Sequence, residues 1–285
     1  MSPTDRVAEH RALVERLFGS LAPIASFEPV GDGWTCDTYR VNEEWIVQVP
    51  RTEHAAETLQ AQMDVLPELA REVSAQVPVP ELVWRDPTVM AYRRIDGAAA
   101  LDANGVWPER LGRFLYDLHM VPPEFVGLRA RGPADVRAAL DRELTDLRER
   151  VFPLLTAEER DGFGDRFRAF VDDEGNWRFS PCVTHNDVDR PHILVTATGD
   201  LAGVIDWEEV GIGDPAADFA WILHDEPEAG ARALAAYGGA PDDRFRDRCA
   251  FRYALMPWHD VSHGMETSQP DLVERGLTQL RRRAF

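Results

Sequence analysis

Two short apolar runs, Ile193-Leu194-Val195 and Gly203-Val204-Ile205, flank the polar turn Thr198-Gly199-Asp200, and this is the pattern of a buried β-hairpin. The hairpin lies in the stretch from Val183 to Leu223, VTHNDVDRPHILVTATGDLAGVIDWEEVGIGDPAADFAWIL, which is dense in acids and histidines. Asp187 precedes the first strand by six residues and Asp206 ends the second, so folding the hairpin is expected to carry two carboxylates to one end. A solvated turn would not gather acids and histidines in this way. A carboxylate pair of this kind suits phosphoryl transfer, where one group orients and deprotonates an attacking hydroxyl and the other holds magnesium against phosphates.

The arrangement His185-x-Asp187, then His192, then Ile205-Asp206-Trp207, resembles the catalytic and metal-binding loops of the aminoglycoside and macrolide phosphotransferases, antibiotic kinases with a protein-kinase-like fold. The usual family pattern is His-Gly-Asp, four residues, Asn, and then Ile-Asp-Trp or Ile-Asp-Phe. Here Asn186 replaces the Gly and His192 the Asn, and both variants occur in the family. The tail Gly211-x-Gly213-Asp214-Pro215-x-x-Asp218 matches as well. The resemblance implies an α+β, two-lobed fold: a small β-rich nucleotide-binding lobe over residues 1–95 and a larger, mainly helical catalytic and substrate-binding lobe over 96–285. It also implies roles. Asp187 is expected to be catalytic with His185 bracing its loop, His192 and Asp206 to hold Mg2+, and Asp218 to support the loop from behind. The donor is expected to be ATP or GTP.

The nucleotide side can be followed along the N-terminal third. An amphipathic helix is expected over residues 4–19, then strands at Ser26–Val30, Thr38–Val41 and Trp45–Val49. Between the first two strands the small residues of Gly31-Asp32-Gly33 could let backbone N–H groups approach phosphates. A helix over 53–73 follows, with Leu59, Met63, Leu66 and Ala70 on one face, and then strands at Glu81–Trp84 and Val89–Tyr92. Met90, Tyr92 and Arg93 stand where the resemblance places the hinge for the nucleotide base.

Composition adds one sharp constraint. All 31 basic residues are arginine, so the chain has no lysine for a Gly-Lys phosphate loop or for a Schiff base. Kinase-like enzymes pair a strand lysine with a helix glutamate. By register Gln48 takes the first position and Gln62 the second, and a neutral hydrogen-bonded Gln48–Gln62 pair is expected, with Arg40 or Arg51 as substitute cations. A net charge of −19 argues against nucleic acid and favours cationic or neutral small molecules. No run approaches the ~18 apolar residues of a membrane span, and the chain reads as cytoplasmic. Three scattered cysteines have no metal-ligand spacing.

Past residue 100 the pattern becomes helical, with Leu111, Leu115, Leu118 and His119 on one periodicity and Val136, Leu140, Leu144 and Leu147 on another. His119 reads as a capping or packed histidine. Helices are expected near 214–223, 227–237, 243–259 and 270–283. The string Met256–Glu266 carries two histidines and two acids, yet lacks the spacing of a zinc helix and reads as a helix wall. Late acids, Asp225, Glu226 and Glu266, are expected to bind a cationic acceptor. The function implied is O-phosphotransfer from a nucleoside triphosphate to an antibiotic-like acceptor, and hence antibiotic resistance. Two other readings stay open: a nucleotide-binding pseudokinase or regulatory module, and a kinase of a metabolite alcohol such as choline or homoserine.

Overall fold

The computed structural model describes residues 3–19, 23–30, 33–85, 87–100 and 104–283. It is an α+β structure. Two compact units emerge: one from the chain up to Trp107 with Phe125–Gly127 and Arg190–Val210, the other from Pro108–Glu124, Leu128–Asp189 and everything from Gly211 on. No helix among the described residues is long and apolar enough to cross a membrane.

The first unit opens with helix α1 (Pro3–Phe18) and strands β1 (Phe27–Pro29), β2 (Cys36–Val41) and β3 (Trp45–Pro50). Helix α2 (Glu53–Leu69) and strands β4 (Pro80–Arg85) and β5 (Thr88–Arg93) complete an antiparallel sheet of order β1-β2-β3-β5-β4. Side chains alternate across the strands, so each face has its own apolar set. Val14 and Phe18 of α1 pack on Tyr39, Val41, Val47, Val49, Val89 and Ala91. On the other face Leu59 and Met63 of α2 meet Cys36, Ile46, Met90 and Tyr92. Burying one such large side chain contributes ~1.5–3 kcal/mol, which makes both helices integral to the sheet. Thr52 caps α2 by accepting from Ala55 N at 3.1 Å. The helix ends at Leu69 rather than at residue 73, two residues after Pro67, which cannot donate to the helical ladder.

The predicted hairpin is present as β8 (Ile193–Val195) and β9 (Leu201–Val204), numbered after two strands the sequence did not reveal: β6 (Ala98–Ala99), which pairs with β8, and β7 (Cys182–Thr184). A bulge pairs Val195 with Leu201 and Leu194 with Gly203, so the second strand starts earlier than expected and Ile205 lies beyond it. Gly199 turns the tip with φ +80°, and its carbonyl accepts from Val106 N at 2.9 Å and Trp107 N at 3.0 Å. A Cβ there would sit 2.2 Å from Asn104 O, so only glycine fits.

The second unit contains α3 (Trp107–Met120), α4 (Pro133–Val151), α5 (Ala157–Asp172), α6 (Ala220–Asp225), α7 (Pro227–Ala236), α8 (Phe245–Glu266) and α9 (Pro270–Arg282). It also holds β7, paired antiparallel with β10 (Gly211–Gly213). The expected stripe Val136, Leu140, Leu144, Leu147 packs with Phe163, Phe167, Phe251, Leu255 and Trp258 in one core. Helix α5 was not anticipated, although Thr156 and Glu159 form a capping box at its start. Helix α8 continues through Pro257 to Glu266, so the histidine-rich string is a helix wall as expected.

Candidate active site

In the second unit, β7 delivers the chain into His185-Asn186-Asp187. Asn186 is left-handed, φ +67°, a conformation that glycine and asparagine tolerate best, and this explains why asparagine can stand where the resembled pattern has glycine. His185 is fully buried, and its Nδ1 accepts from Asp187 N at 3.2 Å, which braces the loop from inside. Behind the loop lies Asp218, also fully buried. Its Oδ1 accepts from Asn186 N at 2.7 Å, and its Oδ2 accepts from His185 N at 3.0 Å and from His119 Nε2 at 3.0 Å. With Nε2 donating to a carboxylate, His119 Nδ1 is left to accept from Tyr237 OH at 2.8 Å. Burial, reinforced by negative neighbours that include Asp218, pushes the Tyr237 phenol well above its usual range and keeps it a donor. His119 is therefore a packed histidine, as the sequence suggested. The relay from Tyr237 through His119 and Asp218 to the Asp187 loop spans separations of 118 and 99 residues, which no local pattern announces.

Asp214 of the same tail is held separately. Its Oδ1 accepts from Ala216 N at 3.0 Å and its Oδ2 from Arg248 Nε at 2.7 Å, while Arg248 also reaches both oxygens of Asp242 at 2.8 Å. Arg248 is 1% exposed, and these two carboxylates outweigh its burial and push its guanidinium further above its already high range.

In the first unit, Asp206 follows β9 with φ +66°, a left-handed, strained position for a non-glycine residue. The neighbouring Trp207 is fully buried and donates from Nε1 to Val204 O at 2.9 Å, which fixes the turn. His192 Nε2 lies 3.2 Å from Asp206 Oδ2, and Ile205 N donates to His192 O at 2.9 Å. At this separation the imidazole and the carboxylate pair with each other, and the same two side chains would hold a divalent cation, the carboxylate being the harder donor of the two. No cluster of three or more His, Cys, Asp or Glu among the described residues forms a protein-only metal cage. Magnesium commonly relies on few protein ligands.

The phosphate-loop candidates divide. Gly31 lies outside the described residues. A Cβ on Gly33 would come within 2.9 Å of Cys36 O, so the turn into β2 requires glycine. Thr35 then donates from Oγ1 to Glu208, and Arg51 N donates to Thr35 O at 2.8 Å. Cys36 is buried on the α2 face, and burial, with Glu208 and Asp206 adding negative charge, pushes its thiol up to about 12. Tyr92 and Met90 are buried on the same face, and burial followed by the Asp206 charge pushes the Tyr92 phenol up. Arg93 points elsewhere: its guanidinium lies 4.0 Å over the Trp45 ring and pairs with Glu44 at 2.8 Å and Glu81 at 3.3 Å.

The expected glutamine pair does not form. Gln48 lies in β3 opposite Thr38 and Met90, on the α2 side of the sheet, and Gln62 is buried in α2, but Gln48 Oε1 is buried without a hydrogen-bond partner. Sharing a face sets a side chain's direction and not its reach. The substitute cations are also committed elsewhere, Arg40 to Glu28 and Glu43, and Arg51 to Asp37.

The three acceptor acids are not gathered either. Asp225 accepts from Tyr253 OH and lies 3.5 Å from Arg283, whereas Glu266 pairs with Arg150. Tyr253 and Glu266 are both on α8, thirteen residues or ~20 Å apart along its axis. Glu226 occupies the N-cap position of α7, without a side-chain capping bond. Asp189 is the acid whose charge, with that of Asp225, reaches Tyr253, and it reaches Asp260 as well. Burial raises Asp260, with the Asp189 charge adding to it, and burial followed by the Asp225 hydrogen bond pushes Tyr253 up to about 12. His224 stacks on Tyr253 with ring centroids 4.7 Å apart. Tyr253 and Asp260 sit seven apart on one face of α8, a spacing that could have revealed them.

Residues 26–254 match the phosphotransferase enzyme family known as APH. The chain belongs to this family. It is a phosphotransferase that uses a nucleoside triphosphate and acts on an alcohol group. The Bacillus subtilis (strain 168) protein YcbJ is 26% identical over 262 residues, covering 83% of this chain and 82% of its own length. Viomycin phosphotransferase of Streptomyces vinaceus is 29% identical over 254 residues, with 83% and 86% covered. Among solved structures, the GDP complex of aminoglycoside 2'-phosphotransferase-IIIa matches with a TM-score of 0.83 at 21% identity, covering 98% of both chains. Macrolide 2'-phosphotransferase type I matches with a TM-score of 0.77 at 20% identity, again over 98% of both. At these identities the structural likeness speaks for the fold.

Proposed function

We propose that this phosphotransferase moves the γ-phosphoryl group of ATP or GTP to a hydroxyl of a cationic, antibiotic-like small molecule. The observation that carries the reading is the Asp187 loop, whose backbone is fixed by His185 inside and Asp218 behind. Asp187 orients the acceptor hydroxyl and takes its proton. His192 and Asp206 would hold Mg2+, which when bound would neutralise charge on the phosphates. Met90, Tyr92 and Gly33 line the nucleotide face, where complexes of the structural neighbours with GDP and ATP support a nucleotide ligand.

Support for the acceptor class comes from Asp189 and Asp225, whose charges both reach Tyr253, and from Asp260, which the Asp189 charge also reaches; Arg283, 3.8 Å over the Tyr253 ring, offsets part of that charge and marks the patch as one that accepts a guanidinium. Neighbours bind kanamycin, gentamicin and streptomycin, and one relative is a viomycin phosphotransferase. Glu266 drops out of this set.

Nucleotide diphosphate release, measured with aminoglycoside, macrolide and cyclic-peptide antibiotics, tests the reading. Asp187→Asn is expected to leave nucleotide binding intact and to lower turnover ~10²–10⁴-fold, the usual contribution of general-base help. Unchanged turnover would remove Asp187 from the mechanism, and acceptor affinity indifferent to salt would refute recognition by exposed acids.

A further inference from the structure

The end of the phosphate loop is tied to the metal loop. Thr35 Oγ1 donates to Glu208 Oε1 across 173 residues of sequence, within one unit. Both ends of this tie are fixed. Thr35 is held by Arg51 N at its carbonyl and by the buried Cys36 beside it. Glu208 follows Trp207, which is locked in the core by its bond to Val204 O. Glu208 stands two residues from Asp206, and its charge, like that of Asp206, reaches Cys36 on the face where Gln48, Met90 and Tyr92 lie.

That face is electrostatically unusual. It presents two carboxylates close to the place proposed for phosphates, and a glutamine where a lysine would have offset them. Arg40 and Arg51 are drawn away by Glu28, Glu43 and Asp37. Phosphates entering without a cation meet like charge.

We propose that Glu208 is a positioning residue that holds the phosphate loop through Thr35 and, through its charge, makes nucleotide binding depend on the metal beside it. This rests on the nucleotide-binding reading above. Geometry and charge separate cleanly, because Glu208→Gln keeps an acceptor oxygen for Thr35 while removing the charge, and Thr35→Val removes the donor while keeping the shape. Arg190, in the turn leading to His192, is common to all variants, so its contribution cancels in every comparison.

The test is calorimetric titration with ADP and GDP, each with excess Mg2+ and with EDTA, on the full chain, with thermal midpoints confirming that each variant is folded. Thr35→Val is expected to weaken magnesium–nucleotide binding about tenfold, whereas Thr35→Ser restores the donor and stays within about threefold of wild type, as loss of one hydrogen bond to a charged group predicts. Glu208→Gln is expected to tighten metal-free binding about tenfold, and so to reduce the ratio of magnesium-bound to metal-free affinity by a similar factor, as removal of a nearby like charge predicts. In the Glu208→Gln background the effect of Thr35→Val should shrink. Equal affinities for the Val and Ser variants, or a Glu208→Gln effect that scales both conditions alike, overturns the proposal. Failure of the wild type to bind either nucleotide in either condition would instead remove the nucleotide reading, and the proposal with it.

Discussion

The brace behind the Asp187 loop can be weighed through Asp218→Asn. The carboxylate accepts three hydrogen bonds, from Asn186 N, His185 N and His119 Nε2. An amide offers one oxygen and one NH2 group in the same space. If the oxygen keeps Asn186 N, the NH2 faces His185 N and His119. His119 can adapt by moving its proton from Nε2 to Nδ1, because the Tyr237 hydroxyl can accept as well as donate. His185 N cannot adapt, and is left buried against another donor. A buried donor deprived of a charged acceptor costs ~1.5–3 kcal/mol, and replacing charged by neutral acceptors at the other two bonds adds to this, for a total of ~2–4 kcal/mol. Since each ~1.4 kcal/mol is tenfold, amide exchange at His185 and Asn186 should accelerate roughly 30- to 700-fold. Residue-resolved hydrogen exchange reads this directly, and exchange within threefold of wild type would show that the loop does not depend on Asp218.

His192→Asn should preserve or improve magnesium-dependent activity and lessen any advantage of Mn2+, since imidazole suits softer ions; metal titrations of both forms decide it, and a large loss would give His192 a role of its own. Arg248→Ala leaves Asp214, 4% exposed, without its cation, and should cost ~3–5 kcal/mol in urea denaturation, as expected for a broken buried pair. Glu159 is held down to about 2, first by the hydrogen bond from Arg281 and then by that from Thr156 N. Because the folded value lies below the ordinary 4.5, this stabilisation is present above about pH 4.5 and is lost as pH falls towards about 2. Melting curves of wild type and Glu159→Gln should therefore converge on acidification, and a constant difference across that range would contradict the sign.

The features legible in the sequence were those written in contiguous pattern. The β8–β9 hairpin, the stripes of α2 and α4, and the His185-x-Asp187 and Asp206 motifs each lie within a few residues of one another, where periodicity and turn chemistry speak. Three-residue strands such as β7 and β10 are too short to show a period. The relay through Tyr237 and His119 depends on side chains brought together by packing, and its members look like ordinary helix residues. The Gln48–Gln62 expectation was correct about the shared face of the sheet and wrong about the bond, because period fixes direction while rotamer and helix distance fix contact. Glu266 illustrates the same limit: Asp225, on α6, meets α8 at Tyr253, thirteen residues along that helix from Glu266, so acids assigned one role lie at separate places.

The arrangement of the Asp187 loop also bears on how such enzymes diversify. Its backbone is secured by the chain of bonds through His185, Asp218, His119 and Tyr237, and the positions proposed for the acceptor, Asp189 and the residues near Tyr253, take no part in that chain. Substitution at these positions leaves the anchors in place. On the proposed reading, acceptor range can therefore drift by single steps, each tolerated by an unchanged frame, without passing through a collapsed active site.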